Sequence, residues 1–174
     1  MKPLSITVLV AALALSGTVH TPAFAATNDG PPKAERLKND DGVIRVKSAY
    51  GVAETVARLK ADIATKGIKF FDEIDQQKLA ADAGVTLNPS TLLVFGNPPL
   101  GTQFLSANPY SGLDWPVRML VLQDASGQVW IAYTDFTYVA HRHHITERDP
   151  QFAMATMVAA SIASAAQNAA VASN

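Results

Sequence analysis

Leu92-Leu93-Val94-Phe95-Gly96-Asn97-Pro98 is the stretch of sequence that decides the fold. Its first four residues are apolar and favour extended structure, so they predict a buried strand. Gly96-Asn97-Pro98 then ends that strand, because Gly and Asn tolerate a positive φ and Pro cannot donate to a β-ladder. A buried strand that ends in a fixed turn forms either a structural corner or the floor of a ligand-binding cleft.

The hydrophobic periodicity on either side of this strand predicts an α+β domain. The expected elements are strands over 43–48, 68–74, 91–95, 117–123 and 128–133, and helices over 52–67, 75–84 and 149–170. The first strand, helix and second strand should form a βαβ unit with parallel strands. Asp124-Ala125-Ser126-Gly127 should join the last two strands in a hairpin. We therefore expect a mixed sheet of about five strands, with helices packed mainly on one face.

The N-terminus has the composition of an export signal. Lys2 precedes an apolar run from Leu4 to Leu15, and Ala23-Phe24-Ala25 supplies an A-x-A cleavage site. The run is shorter than the ~20 residues of a membrane-spanning helix. We expect a signal peptide over 1–25, a flexible lead-in over 26–41, and a single α+β domain over 42–172 that includes the C-terminal helix. The mature protein would be periplasmic or secreted, without membrane contact after cleavage.

Composition excludes several classes of function. The formal net charge is −1, and it becomes −2 when Lys2 leaves with the signal peptide. A mildly acidic chain lacks the basic face that nucleic-acid binding needs. The chain contains no cysteine, which excludes disulfides, thiol nucleophiles and thiolate metal sites. With 48% hydrophobic residues, the chain can form a hydrophobic core without disulfide bonds.

Several short motifs, taken together in their order and spacing, resemble the family labelled "domain of unknown function 302". The motifs are Glu54-Thr55-Val56-Ala57-Arg58-Leu59, Phe95-Gly96-Asn97-Pro98, Gly101-Thr102, Leu113-Asp114-Trp115-Pro116 and Ala132-Tyr133. The similarity covers Val43 to Ile145. It implies a compact α+β domain, often a dimer, with no established activity.

The sequence departs from the family pattern at two places. Many members carry a His after the second strand, where Ile74-Asp75-Gln76 stands here, so no family-wide role for an imidazole transfers to this chain. Trp115-Pro116 replaces Leu-Pro, which keeps the apolar character and enlarges it.

The corner after the central strand is the candidate ligand-binding site. The Asn97 amide can both donate and accept, and Gly96 and Gly101 would let a ligand approach the backbone closely. Alternatively, Asn97 forms an Asx-type corner that satisfies its own backbone. The residues predicted to line the cleft are Gly96, Asn97, Pro98, Gly101, Thr102, Asp114 and Arg118.

His141-Arg142-His143-His144 is the candidate metal site. In an extended segment, His141 and His143 would point to the same side and could both bind Zn or Cu. His144 would add a third imidazole. The alternative is a polar loop whose His residues pack or cap.

No Gly-x-Ser-x-Gly elbow, phosphate-binding loop or His-Glu-x-x-His motif is present, so the sequence does not favour an enzyme. Our leading hypothesis is a non-catalytic small-ligand-binding or stress-related protein that acts as a homodimer. The second is a metal-binding protein or metalloenzyme that uses the His cluster. The third is a structural partner that assembles through its C-terminal helix.

Overall fold

The computed structural model describes residues 41–167, so the predicted signal peptide and most of the lead-in lie outside the described residues. In chain order the elements are β1 Val43–Lys47, α1 Val52–Thr65, β2 Lys69–Asp75, α2 Gln76–Asp82, β3 Ser90–Gly96, α3 Pro98–Ala107, a 3₁₀ helix Pro109–Leu113, β4 Val117–Gln123, β5 Val129–Thr134, α4 Phe136–Arg142 and α5 Asp149–Ser164. None of the helices within 41–167 is long and apolar enough to cross a membrane.

The five strands form one sheet in the order β1-β5-β4-β3-β2. The α+β class and the five strands are confirmed, and so is the β4–β5 hairpin. The pairing differs from the predicted mixed sheet, because every neighbouring pair is antiparallel. The β1-α1-β2 unit exists, and its strands run in the same direction, but they lie at opposite edges of the sheet.

The length of α1 is compatible with this separation. Fourteen helical residues span about 21 Å at a rise of about 1.5 Å per residue. Four strand spacings of about 4.8 Å amount to about 19 Å. The helix contacts β2, β3 and β4, and the later strands β3, β4 and β5 lie between β1 and β2.

One face of the sheet and the helices form the core. Leu93 and Phe95 of β3 are buried with Met119 and Val121 of β4, and Leu59 of α1 packs into the same cluster. On the face of α5 that joins this core, the small residues Ala155, Ala159 and Ala163 are buried, and Ala166 is buried just after the helix. These alanines form a stripe that packs within its own domain.

Asp124 organises the β4–β5 turn. Its Oδ1 accepts hydrogen bonds from the backbone N–H groups of Ser126 and Gln128 and from the Ser126 hydroxyl, and its Oδ2 accepts from Trp130 Nε1 at 2.7 Å. These bonds stabilise the carboxylate, the Ser126 hydroxyl most and the Trp130 indole next, and lower the pKa of Asp124 to about 2.

We expect the Asp124 carboxyl carbon, followed by NMR, to titrate near pH 2. Because an unfolded Asp titrates near pH ~3.9, the bonds stabilise the fold fully above that pH, and this contribution is lost as the pH falls through 2. Trp130→Phe should raise the pKa toward the ordinary value. Trp115→Phe, the matched control, should leave it unchanged. An ordinary Asp124 pKa in the wild type would contradict this account.

Candidate functional site

The corner at the end of β3 is built by helix capping. Asn97 is the N-cap of α3, and its Oδ1 accepts a long hydrogen bond of 3.4 Å from Leu100 N. Its backbone carbonyl accepts from Gly101 N at 2.8 Å. Pro98 and Pro99 occupy the first helical positions, where a missing N–H costs nothing. Asn97 thus accepts hydrogen bonds from the backbone of its own turn, as in the Asx-type corner that the sequence offered as the alternative to a ligand-binding role.

Trp115 occupies the space that the two glycines leave open. A Cβ atom on Gly101 would lie 2.0 Å from Nε1 and from Cε2 of the Trp115 ring. A Cβ atom on Gly96 would lie 3.0 Å from Nε1. Phe71 packs edge-on against the same indole, with ring centroids 6.3 Å apart. The group that approaches the backbone at Gly96 and Gly101 is therefore the indole of Trp115.

An apolar pocket lies beside this indole, between the end of β3, α3 and α5. Its cavity volume is about 30 Å³, and with the open mouth included its empty space amounts to about 380 Å³. Its lining residues are Ile68, Phe95, Gly96, Asn97, Leu100, Gly101, Phe104, Trp115, Val117, Phe136, Ala155, Val158 and Ala159. Such a lining suits a small apolar group, and Trp115 restricts the room available to it.

Asp114, directly before Trp115, is held by three basic side chains. Its carboxylate lies 2.6 Å from His143 Nε2, 3.2 Å from Arg142 Nη1 and 3.5 Å from Arg118 Nη2. The side chains of Asp114 and His143 are only 4% and 6% exposed. Asn108 Nδ2 donates to the His143 carbonyl at 2.9 Å. This cluster fixes the backbone from which Trp115 projects.

The structure brings together some of the residues predicted for the cleft. Gly96, Asn97 and Gly101 line the pocket, whereas Asp114 and Arg118 contact each other and do not line it. Thr102 does not line the pocket, and its hydroxyl donates to the Pro98 carbonyl at 2.8 Å. Pro98 is exposed at the start of α3 and does not line it either.

The extended geometry predicted for the His cluster is wrong. Asp135 caps α4 by accepting from Thr137 N, so His141 lies in the last helical turn and His143 is the C-cap. His141 and His144 are exposed, with ring centroids 6.4 Å apart, whereas His143 is buried against Asp114. Between residues 41 and 167, no group of three or more His, Asp or Glu side chains could hold a metal ion.

Sequence reasoning missed the residues that shape the pocket. Phe104 and Phe136 line it from α3 and from the start of α4, and Val158 lines it from α5. The sequence indicated only that Trp115 is apolar and large. Gly96 and Gly101 could have indicated the position of Trp115. Two glycines leave room for a large side chain, and Trp115 is the large aromatic residue after Asp114.

The fold and the pocket define an α+β domain with a small apolar cleft beside a capped corner. Residues 44–169 match the family described as "Domain of unknown function DUF302", and the chain belongs to this family. Among solved structures, the chain resembles the "uncharacterized conserved protein DUF302 from Bacillus stearothermophilus" with a TM-score of 0.66. That match has 18% sequence identity and covers 72% of this chain and 98% of the other.

Two curated relatives are named as fluoride-specific ion channels. The chain is 37% identical over 115 residues to "Fluoride-specific ion channel FluC 1" of Brucella suis, which covers 66% of this chain and 44% of the relative. The match to the protein of the same name from Brucella abortus covers 42% of that relative. The chain thus spans less than half the length of these relatives.

Gly101→Ala should destabilise the protein by about 1–3 kcal/mol, because the new methyl group must displace the Trp115 indole. Urea unfolding measures the change in free energy. Gly112→Ala is the matched control, since nothing lies within 4 Å of its added Cβ, and it should be close to neutral. Equal effects of the two substitutions would show that Trp115 does not fill this space.

Proposed function

We propose that the protein is an exported, non-catalytic domain that binds a small ligand, with an apolar part of the ligand in the pocket beside Trp115. The single observation that carries the proposal is this apolar pocket, which borders the capped corner after β3 and the indole of Trp115. Pockets lined by hydrophobic and aromatic side chains with few polar groups are typical of small-molecule sites.

A binding role fits the polar groups around the pocket better than catalysis. Asn97 caps α3, Thr102 donates to Pro98, and His143 lies against Asp114. Each of these groups supports local structure. A general base or nucleophile must instead be within hydrogen-bond reach of a bound substrate.

Tryptophan fluorescence tests the proposal directly. The chain has two tryptophans, Trp115 and Trp130, so Trp130→Phe leaves an indole only at the pocket. Titration of this variant with hexan-1-ol should produce a saturable change in emission. Trp115→Phe, which keeps Trp130 as the reporter at the β4–β5 turn, should show no such change. An unsaturable or equal response in the two variants would contradict the proposal.

We also propose that the mature protein is periplasmic or secreted and acts as a homodimer. The N-terminal composition supports export. Met154 and Met157 support self-association, because both are exposed on α5, whose alanine stripe is buried in its own domain. Exposed apolar side chains that lie close together often mark contact surfaces.

Replacing both methionines by Glu should convert a dimer into a monomer, measured by light scattering coupled to size-exclusion chromatography. The dimer contact would have to bury the two introduced carboxylates, and burying unpaired charges is costly. Ala153 is also exposed on α5. Ala153→Glu therefore tests whether any negative charge on this helix is enough to separate the dimer. A dimer that survives the double substitution would place the contact elsewhere.

Fluoride conduction is not part of the proposal. The name of the Brucella relatives applies to proteins of which this chain matches less than half.

A further inference from the structure

Two arginines meet at the surface around Asp114, the residue that precedes Trp115. Arg118 on β4 and Arg142 on α4 both contact Asp114 Oδ1, at 3.5 and 3.3 Å. Their side chains are 51% and 46% exposed. Because they share one oxygen atom, the contacting Nη atoms are no more than about 7 Å apart, a span that one oxyanion can bridge with two hydrogen bonds of ~2.8 Å.

The contacts with Asp114 occupy only some of the N–H donors of Arg118 and Arg142. Its nearest partner is His143, at 2.6 Å, and both arginine contacts are longer than a charge-assisted hydrogen bond of ~2.8 Å. A guanidinium carries five N–H donors. Beyond its contacts with Asp114, Arg118 donates to the Leu113 carbonyl at 2.6 Å.

The charge balance of the cluster is positive. One carboxylate faces two guanidinium groups, so the cluster keeps a net charge of at least +1 even with His143 neutral. Within residues 41–167, the ion pairs of Arg118 and Arg142 are with Asp114 alone. A second anion at this position would balance the remaining positive charge. It could reach both guanidiniums because each is about half exposed to solvent.

The cluster and the pocket belong to the same short segment. Asp114 holds the arginines and Trp115, the next residue, lines the pocket. We propose that Arg118 and Arg142 bind an oxyanion head group, a carboxylate or a phosphate ester, of the ligand whose apolar part enters the pocket. This inference rests on the proposed function and adds the chemical class of the ligand, a small amphiphilic acid.

Three probes with the same six-carbon chain test the inference. Hexan-1-ol, hexanoate and hexyl phosphate differ only in their head groups. Binding is measured by fluorescence with Trp130→Phe and by calorimetry with the wild-type protein. We expect hexanoate, hexyl phosphate or both to bind at least about tenfold more tightly than hexan-1-ol. Arg118→Gln with Arg142→Gln should remove this preference, so that the three probes bind the double variant with similar affinities.

Arg58→Gln is the matched control, because Arg58 pairs with Glu54 on α1 and should not affect the preference. Circular dichroism verifies that the double variant folds, and either single substitution should lower the preference in part. If hexan-1-ol binds and neither anion binds more tightly, the head-group site is overturned while the proposed function stands. A preference that survives the double substitution also overturns it. If no probe binds, the proposed function and the inference both fail.

Discussion

The indole of Trp115 lies where a Cβ atom of Gly101 would have to be, and the local structure around the pocket depends on this contact. A side chain at Gly101 would expel the ring, and one at Gly96 would crowd it. The end of β3 and the first turn of α3 are therefore held close to a large aromatic group. Phe71 contacts the same ring from β2. The contact ties the end of the central strand to the segment that leads into β4.

The neighbouring residue keeps that segment in place. The carboxylate of Asp114 is buried and bonded to His143, which is itself held by Asn108 through its carbonyl. Taking one member out of a buried, hydrogen-bonded pair is costly, because the other is left without its partner. The backbone before Trp115 is thus anchored, while the two guanidiniums on Asp114 remain half-exposed. A buried polar anchor next to an indole that borders an apolar pocket is an arrangement suited to ligand binding.

Much of the fold could be predicted because its determinants are local. The β4–β5 turn follows from Asp124 and Gly127, and the end of β3 follows from Gly96 and Asn97. The placement of β1 and β2 at opposite edges could not be predicted, since it depends on which strand finally pairs with β1. The Asp114–His143 bond joins residues 29 apart in sequence. Local sequence patterns do not encode such a contact. Helix α4, which places His143 opposite Asp114, was not predicted because the N-cap at Asp135 was not recognised.

Fluorine NMR of 5-fluorotryptophan in the Trp130→Phe variant tests most directly whether the Trp115 indole fills the cleft and moves when a ligand enters. In the free protein, the shift of the Trp115 resonance between H₂O and D₂O should be small, as for a ring packed against Gly96 and Gly101. At saturation with hexan-1-ol, we expect a displaced Trp115 resonance and a larger solvent isotope shift. An unchanged resonance and isotope shift at saturation would contradict it.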